Sequence, residues 1–217
     1  MTLQKIGIQL PVFLFFTLFF TFFGIAQNRT PIQETNYWTM FTHGDGLCRD
    51  TLTNELIDGS VYSASAIGEP RIEFNLKKGL RHGIQLTWHE NGELESEYHY
   101  QHGIENGVRK IWYPNGTPHH VDHIKNGKPH GSLKSWYDNG QLKRDHHYHE
   151  GNQDGFQRSW RKNGELNYEQ NFMKGELHGM LRWWHKNGQL KSVGIYENGV
   201  LSSSNCFDDQ GNEIPCE

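Results

Sequence analysis

Cysteine is scarce in this chain. Three in 217 residues are too few for a fold built on disulfides. An excess of charge of one sign is also missing. Lys+Arg number 21 and Asp+Glu 25, for a net charge of -4, so no basic footprint for nucleic acid exists. Hydrophobic residues make up only 35%, little for a thick globular core. No Gly-x-Ser-x-Gly, Walker loop or His-Glu-x-x-His occurs, which removes the common hydrolase, nucleotide and zinc-protease signatures. No cofactor fingerprint is present either. By contrast glycine is abundant, with 24 residues, against a usual ~7% and without a collagen period. Seven Trp and nine Tyr are too many aromatics for a disordered chain. The length predicts one or two domains at ~150 residues each.

Only one long apolar run is present. Residues 10-26 are apolar apart from Thr17 and Thr21 and hold seven of the twelve Phe. Lys5 precedes them without any acidic residue, and Gly24-Ile25-Ala26 places small residues where an export peptidase cuts. The run is long for a signal h-region and short for a spanning helix of ~20 residues. The expectation is a signal peptide at 1-26 and an exported chain that starts at Gln27, in the periplasm, at the cell surface or outside the cell. Contact with a membrane is expected only if residues 10-26 stay uncleaved as an anchor. No Cys follows the run, so no lipid-modified N-terminus is expected.

Beyond that lies a repeat. Gly79, Gly103, Gly127, Gly151, Gly175 and Gly199 are spaced by 24 without insertion or deletion. Four residues after the first five come Gly83, Gly107, Gly131, Gly155 and Gly179. One slot holds Trp88, Trp112, Trp136, Trp160 and Trp184. Asn-Gly follows each Trp, with glycines Gly92, Gly116, Gly140, Gly164 and Gly188. A Leu slot reads Leu94, Pro118, Leu142, Leu166 and Leu190, and a further apolar slot Tyr100, Ile124, Tyr148, Phe172 and Tyr196. A fixed period in the range ~20–50 residues signals a repeat architecture. Residues 79-198 are five full units. Residues 55-78 read as a degenerate capping unit with Ala64 in the Trp slot. Residues 199-217 read as a second cap, with Asp208 in the Trp slot and Gly211-Asn212 reversing the Asn-Gly pair. Atypical end units suit a repeat stack. Residues 27-54 are a polar lead-in with Tyr37, Trp38 and Phe41 as anchors.

Each unit predicts a β-hairpin, because alternating apolar residues flank Asn-Gly. Trp112-Tyr113-Pro114-Asn115-Gly116 specifies the turn. In a three-residue loop Pro114 takes the position with fixed φ and Gly116 the left-handed one. Residue 113 then opposes 117, and 112 opposes 118. With a side-chain period of two, Trp88, Leu94, Tyr98 and Tyr100 should share one face. The other face should carry Glu, Lys, Gln and His.

The string Tyr148-x-x-Gly151-x-x-x-Gly155-x-x-x-x-Trp160-x-x-Asn163-Gly164-x-Leu166 resembles the MORN-repeat variant. The match over 79-198 also looks like the bacterial YwqK-family antitoxin group. The resemblance implies stacked hairpins in an elongated, curved antiparallel sheet, and partner binding without chemistry. An export segment fits poorly with neutralising a cytosolic toxin, although immunity to an exported toxin would survive that objection.

Candidate chemistry is thin. His99, His123 and His147 form a ladder, beside His119-His120 and His146-His147-x-His149. Same-slot residues of successive hairpins lie ~9–10 Å apart at ~4.8 Å per strand, whereas a metal gathers its imidazoles at ~2.0–2.1 Å. These histidines are therefore expected on a solvated face, and no metal site is assigned. Glu93, Glu95 and Glu97 line an open strand without the apolar pocket that a glycosidase acid needs. The slot Trp residues are read as structural, each covering ~150–250 Å². Trp183, beside Trp184, should point to the opposite face and is the candidate exposed partner contact. Cys48 lies ~50 Å from the other two thiols by strand count at ~4.8 Å each, so Cys206 and Cys216 are the candidate disulfide.

The fold expected is all-β: an elongated, solenoid-like antiparallel sheet of stacked 24-residue hairpins. The function expected is a non-enzymatic scaffold that binds a protein partner through an extended sheet face, with no cofactor and no nucleic acid. A toxin-sequestering immunity protein and an envelope glycan-binding module are the alternatives.

Overall fold

The computed structural model describes residues 29–31, 46–50, 54–64 and 70–216. Residues 1-26, expected to be a signal peptide, the expected anchors Tyr37, Trp38 and Phe41, and most of the lead-in lie outside the described residues. The described chain is all-β. An edge pair, β1 (Arg29–Pro31) and β2 (Gly59–Ala64), is followed by β3 (Pro70–Lys77), β4 (Leu80–Trp88) and β5 (Leu94–Gln101). Next come β6 (Ile104–Glu105), β7 (Gly107–Trp112), β8 (Pro118–Lys125), β9 (Lys128–Trp136) and β10 (Leu142–His149). Then follow β11 (Asn152–Trp160), β12 (Leu166–Met173), β13 (Glu176–Trp184), β14 (Leu190–Glu197), β15 (Val200–Phe207) and β16 (Glu213–Ile214). All join one sheet in chain order, β6 branching from β5. Every pair is antiparallel except β1 with β2. This is the predicted solenoid-like meander, one layer thick.

Two turn types alternate. After each Trp a three-residue loop closes as the sequence requires: Tyr113 N–H donates to Thr117 C=O at 2.9 Å, and Gly116 N–H to Tyr113 C=O at 2.9 Å. Gly116 has φ +77°, which glycine adopts freely. At the other end of each hairpin sits a two-residue turn with positive φ at both positions, as at Asn126 (51°) and Gly127 (74°). That is the type I′ geometry whose twist matches paired strands.

The stack is tied along both edges. Each type I′ glycine donates its N–H to the unit before: Gly103 to Arg81, Gly127 to Glu105, Gly151 to Pro129, all at 2.8 Å. On the opposite edge the residue after each Trp reaches forward to the next unit's Trp carbonyl. Tyr113 donates to Trp136 at 2.9 Å and Tyr137 to Trp160 at 3.0 Å. His89 bonds Trp112 O at 2.9 Å, and Arg161 bonds Trp184 O. The turn asparagine works in both directions. Asn139 Oδ1 accepts from Gln141 N–H at 3.1 Å while its Nδ2 donates to Lys162 O at 3.2 Å. Asparagine fits this slot because it is donor and acceptor at once.

The faces differ from expectation. Trp112 opposes Pro118, but the next pair is Ile111 with His120, leaving His119 as an extra residue. The same one-residue bulge falls at Glu95, Lys143, Asn167 and Lys191. A bulge breaks the period of two. Trp and Leu stay together on one face, but Tyr98 opposes Gln85 and Tyr100 opposes Gly83, on the other. The single aromatic stripe is thus corrected to two faces, a Trp face and a Tyr face.

The Tyr face is the crowded one. Val61, Phe74, Asp122 and Gln157 on it are fully buried, although no second layer covers it among the described residues. Neighbouring side chains on that face enclose them, and the bulges add the bend that this needs. Its apolar end is a cluster of Cys48, Val61, Phe74 and Leu76, with Ile57 and Ile72 against it.

The last unit also corrects the sequence reading. Asp208 N–H donates to Asn212 O, and Gly211 N–H to Asp208 O. Phe207 therefore opposes Glu213 and takes the Trp slot, with Gln210-Gly211 as the Asn-Gly counterpart. Ser203 stands where earlier units have their second glycine. The bulge there is one residue shorter, since Ile195 pairs with Ser203 and Tyr196 with Leu201, and everything after it shifts by one.

Candidate functional site

The Trp face has three lanes across the strands. The central lane carries paired charges of opposite sign, with Val121 between Lys110 and Lys134. Lys110 bonds Glu97 at 3.1 Å, Lys134 pairs with Asp145 at 3.4 Å, and Glu169 holds both Arg158 and Arg182. One flank is the Trp–Leu lane, whose five Trp are all half-buried. The other flank lies four residues before each Trp. It carries Ile84, Phe156 and Met180, with Ile195 opposite Met180, each between 43% and 49% exposed. Val108 in the same lane is half-buried. Glu, Lys and His thus occur on the Trp face as well, while Glu105, His120 and His146 lie on the opposite one. The exposed apolar lane was missed from sequence. Its signal is there at the 24-residue period, Ile84, Val108, Ser132, Phe156 and Met180, but Ser132 interrupts it.

The His ladder belongs to this face and has a structural use. His123 Nδ1 donates to Ser132 O and His147 Nδ1 to Phe156 O, both at 3.1 Å. These are carbonyls beside the second-glycine bulge. His99 instead bonds Glu97 at 2.9 Å. A Cβ on Gly107 would lie 2.8 Å from His99 Cβ, so the glycine is needed where imidazole crosses the backbone. Among the described residues no three His, Cys, Asp or Glu side chains gather to hold a metal.

The Tyr face carries the charged cluster. Asp122 receives Arg109 Nε at 2.9 Å and Nη2 at 2.5 Å, and His120 approaches at 3.3 Å. Burial works against its charge, but these bonds outweigh it and hold the Asp122 carboxyl below its ordinary value. Farther along, burial brings the His146 imidazole down to about 4, with Arg144 adding to the effect. It lies 3.3 Å from the Tyr168 hydroxyl. The cleft beside Tyr98 and Tyr100 is bordered by Gln85, Thr87, Ser96 and Ile111.

Trp183 does lie opposite Trp184, on the Tyr face, where it pairs with Tyr168. Its ring packs against Tyr168 with centroids 4.9 Å apart and it is 38% exposed, so it is a packing residue with one open side. Cys206 and Cys216 are joined, with Cα atoms 5.3 Å apart. Cys48 is free and buried, and burial raises its thiol pKa against the pull of Arg81.

No curated protein matches the chain. The family model for the MORN repeat variant matches residues 81–102, 129–150 and 177–198. Each matched stretch begins at the second residue of a strand, crosses the three-residue turn and ends at the type I′ turn. The matched stretches are three copies of one hairpin element that is similar to the MORN repeat variant, and the intervening units repeat the same hairpin.

Proposed function

We propose that this chain is an exported, non-enzymatic scaffold that binds a protein partner along its Trp face. The observation that carries this is the lane of Ile84, Phe156, Met180 and Ile195, exposed beside a lane whose charges are already paired. Paired charges resist desolvation less than free ones, and the apolar lane gains by being covered. The lane is extended, so it suits a partner with a long contact rather than a small ligand in a pocket. Repeat units generally supply such elongated surfaces.

The test is capture of the partner by immobilised chain, repeated with Phe156→Glu and Met180→Glu. Both variants should fold normally and lose most of the capture. Capture unchanged by both would overturn the assignment of the face. If the captured species is a toxin, the scaffold is an immunity protein of the antitoxin type. Retention on peptidoglycan in place of a protein would replace the reading with a glycan-binding module. Export is tested separately, by N-terminal sequencing of native protein, which should begin at Gln27. A Met1 start in the cytosolic fraction would refute it.

A further inference from the structure

The Tyr face is not filled evenly. In its row next to the Trp slot, Ile72, Thr87, Ser96 and Ile111 stand side by side on β3, β4, β5 and β7. Two short hydroxyl side chains thus lie between two isoleucines. Farther along the same row Arg144 fills the space between Ser135 and Ser159, and Tyr168 meets Trp183. Beside Thr87 and Ser96 the face opens into a cleft of about 440 Å³, bordered also by Gln85, Glu95, Tyr98 and Tyr100. That volume falls in the ~300–1,000 Å³ range of small-molecule sites.

The polar groups around the cleft are only partly used. Thr87 Oγ1 and Ser96 Oγ lie 2.6 Å apart, so one hydroxyl donates to the other and the second O–H is left over. Gln85 is 8% exposed, yet its side chain makes no hydrogen bond among the described residues, and its amide oxygen is enclosed without a donor. The same slot three units later holds Gln157. There Nε2 donates to His147 O at 2.7 Å, although the oxygen is enclosed as well. The amide nitrogen is therefore what sets the two apart: Gln157 uses it to tie the backbone, and Gln85 does not. A buried polar group left unpaired costs stability, and in a native fold it calls for an explanation. The walls are apolar. The Tyr98 and Tyr100 rings lie nearly parallel, with centroids 6.5 Å apart, and Ile111 faces the same space. Glu95, the bulge residue of this hairpin, brings an exposed carboxylate to the rim.

The geometry points to a binding site for a hexopyranose sugar in this cleft. A pyranose ring offers C–H faces to the tyrosine and isoleucine walls and hydroxyls that both donate and accept. Neighbouring hydroxyls can accept from Gln85 Nε2 and donate to the Glu95 carboxylate, while the Thr87–Ser96 pair completes the floor. Other ligand classes fit less well. The Glu95 charge repels a phosphate or carboxylate. An alkyl chain would leave the amide and the hydroxyl unpaired. A cation would compete with guanidinium groups already in place, Arg109 over Tyr98 and Arg81 over Tyr100. The cleft lies on the face opposite the partner surface, so a sugar seated there adds to that surface and does not depend on it.

Titration of backbone amide chemical shifts with glucose, galactose, mannose and N-acetylglucosamine tests this. At least one sugar should shift Thr87, Ser96 and Tyr98 saturably and leave Phe156 and Met180 in place. Gln85→Leu should weaken that sugar about tenfold, as the loss of one hydrogen bond does. Its urea midpoint should equal or exceed the parent's, because no bond within the protein is lost, whereas Gln157→Leu should lower the midpoint. Glu95→Gln, on the exposed rim, should weaken the sugar without changing the midpoint, and it decides if the leucine variant does not fold. Phe156→Glu should bind the sugar as the parent does, which separates this site from the partner surface. Absence of a saturable shift with all of these sugars would overturn the inference. So would undiminished affinity in the folded Gln85 and Glu95 variants, or a Gln85→Leu midpoint as low as that of Gln157→Leu, which would make the amide a structural one.

Discussion

His146 offers a direct measurement of how closed the Tyr face is. It lies between Leu133 and Gln157 on the neighbouring strands and is 9% exposed. In the unfolded chain its imidazole takes a proton near 6.5, but in the fold burial holds it neutral until about 4. The sign follows from linkage: between these values the unfolded state binds the extra proton, so stability falls as pH falls. At ~1.4 kcal/mol per unit, the full window contributes about 3 kcal/mol, of which about 2.5 is gone by pH 4.5. Carboxylates with shifted values, such as Asp122 and Glu97 (lowered) and Glu105 (raised), are common to parent and variant, so the difference between the two curves isolates His146. The perturbation is His146→Gln, which keeps a polar side chain near Tyr168 but does not titrate. Urea midpoints of parent and variant are measured from pH 7.5 to 4.5. The parent should lose about 1 M more of midpoint than the variant, at an m value of ~2–3 kcal/mol/M. Parallel stability curves for the two proteins would refute the burial of His146, and with it the bulge register that puts it on this face.

Three further outcomes follow from particular contacts. Arg109→Met should cost about 3–5 kcal/mol in denaturation, since it strands the buried Asp122 carboxylate, and adding Asp122→Leu should restore much of that loss. Gly107→Ala should lower the melting temperature clearly more than Gly116→Ala. Both positions have positive φ, at 136° and 77°, but only at Gly107 would the new Cβ meet another side chain, at 2.8 Å. Trp183→Ala should cost at least ~0.5–1.5 kcal/mol through its packing on Tyr168, more than a free surface side chain would, and a midpoint within error of the parent would show that the ring pair does not form.

Much of the fold is legible because its devices leave marks in the sequence. A glycine marks the second residue of each type I′ turn and the left-handed residue of each three-residue loop, although the first residue of each type I′ turn, such as Lys78, His102 or Asn126, has positive φ without being glycine, and Pro114 marks the loop length before Gly116. The bulge after each Trp leaves no such mark. Its residues, Glu95, His119, Lys143, Asn167 and Lys191, are ordinary polar side chains that suit any exposed strand. One unseen residue per hairpin was enough to move Tyr98 and Tyr100 to the far face. The last unit failed to align for the opposite reason: Ser203 in place of glycine removes a residue from a bulge, and the fixed step of 24 then lands on Asp208 instead of Phe207. The exposed apolar lane was hidden because it emerges only when side chains four residues before each Trp are placed on the Trp face with Ile195 across from them.

Splitting the apolar residues between two faces has a consequence for what the sheet can do. Had Trp, Leu and Tyr shared one side, that side would have formed the whole core and the other would have been uniformly polar. Here the Tyr face encloses itself, and the stack is held in addition by repeated bonds along both edges, each worth ~0.5–1.5 kcal/mol net. The Trp face need not be covered for the fold to stand. Its half-buried Trp lane and exposed apolar lane, with paired charges between them, therefore remain open for another molecule. Nearest-neighbour ties of this kind make stability grow with each added unit. The contact surface grows with it, so a longer array gains rigidity and reach together. Because the edge bonds pass from each unit to the next, replacing a side chain in the apolar lane leaves them intact. That separation is why Phe156→Glu and Met180→Glu should impair capture without unfolding the chain.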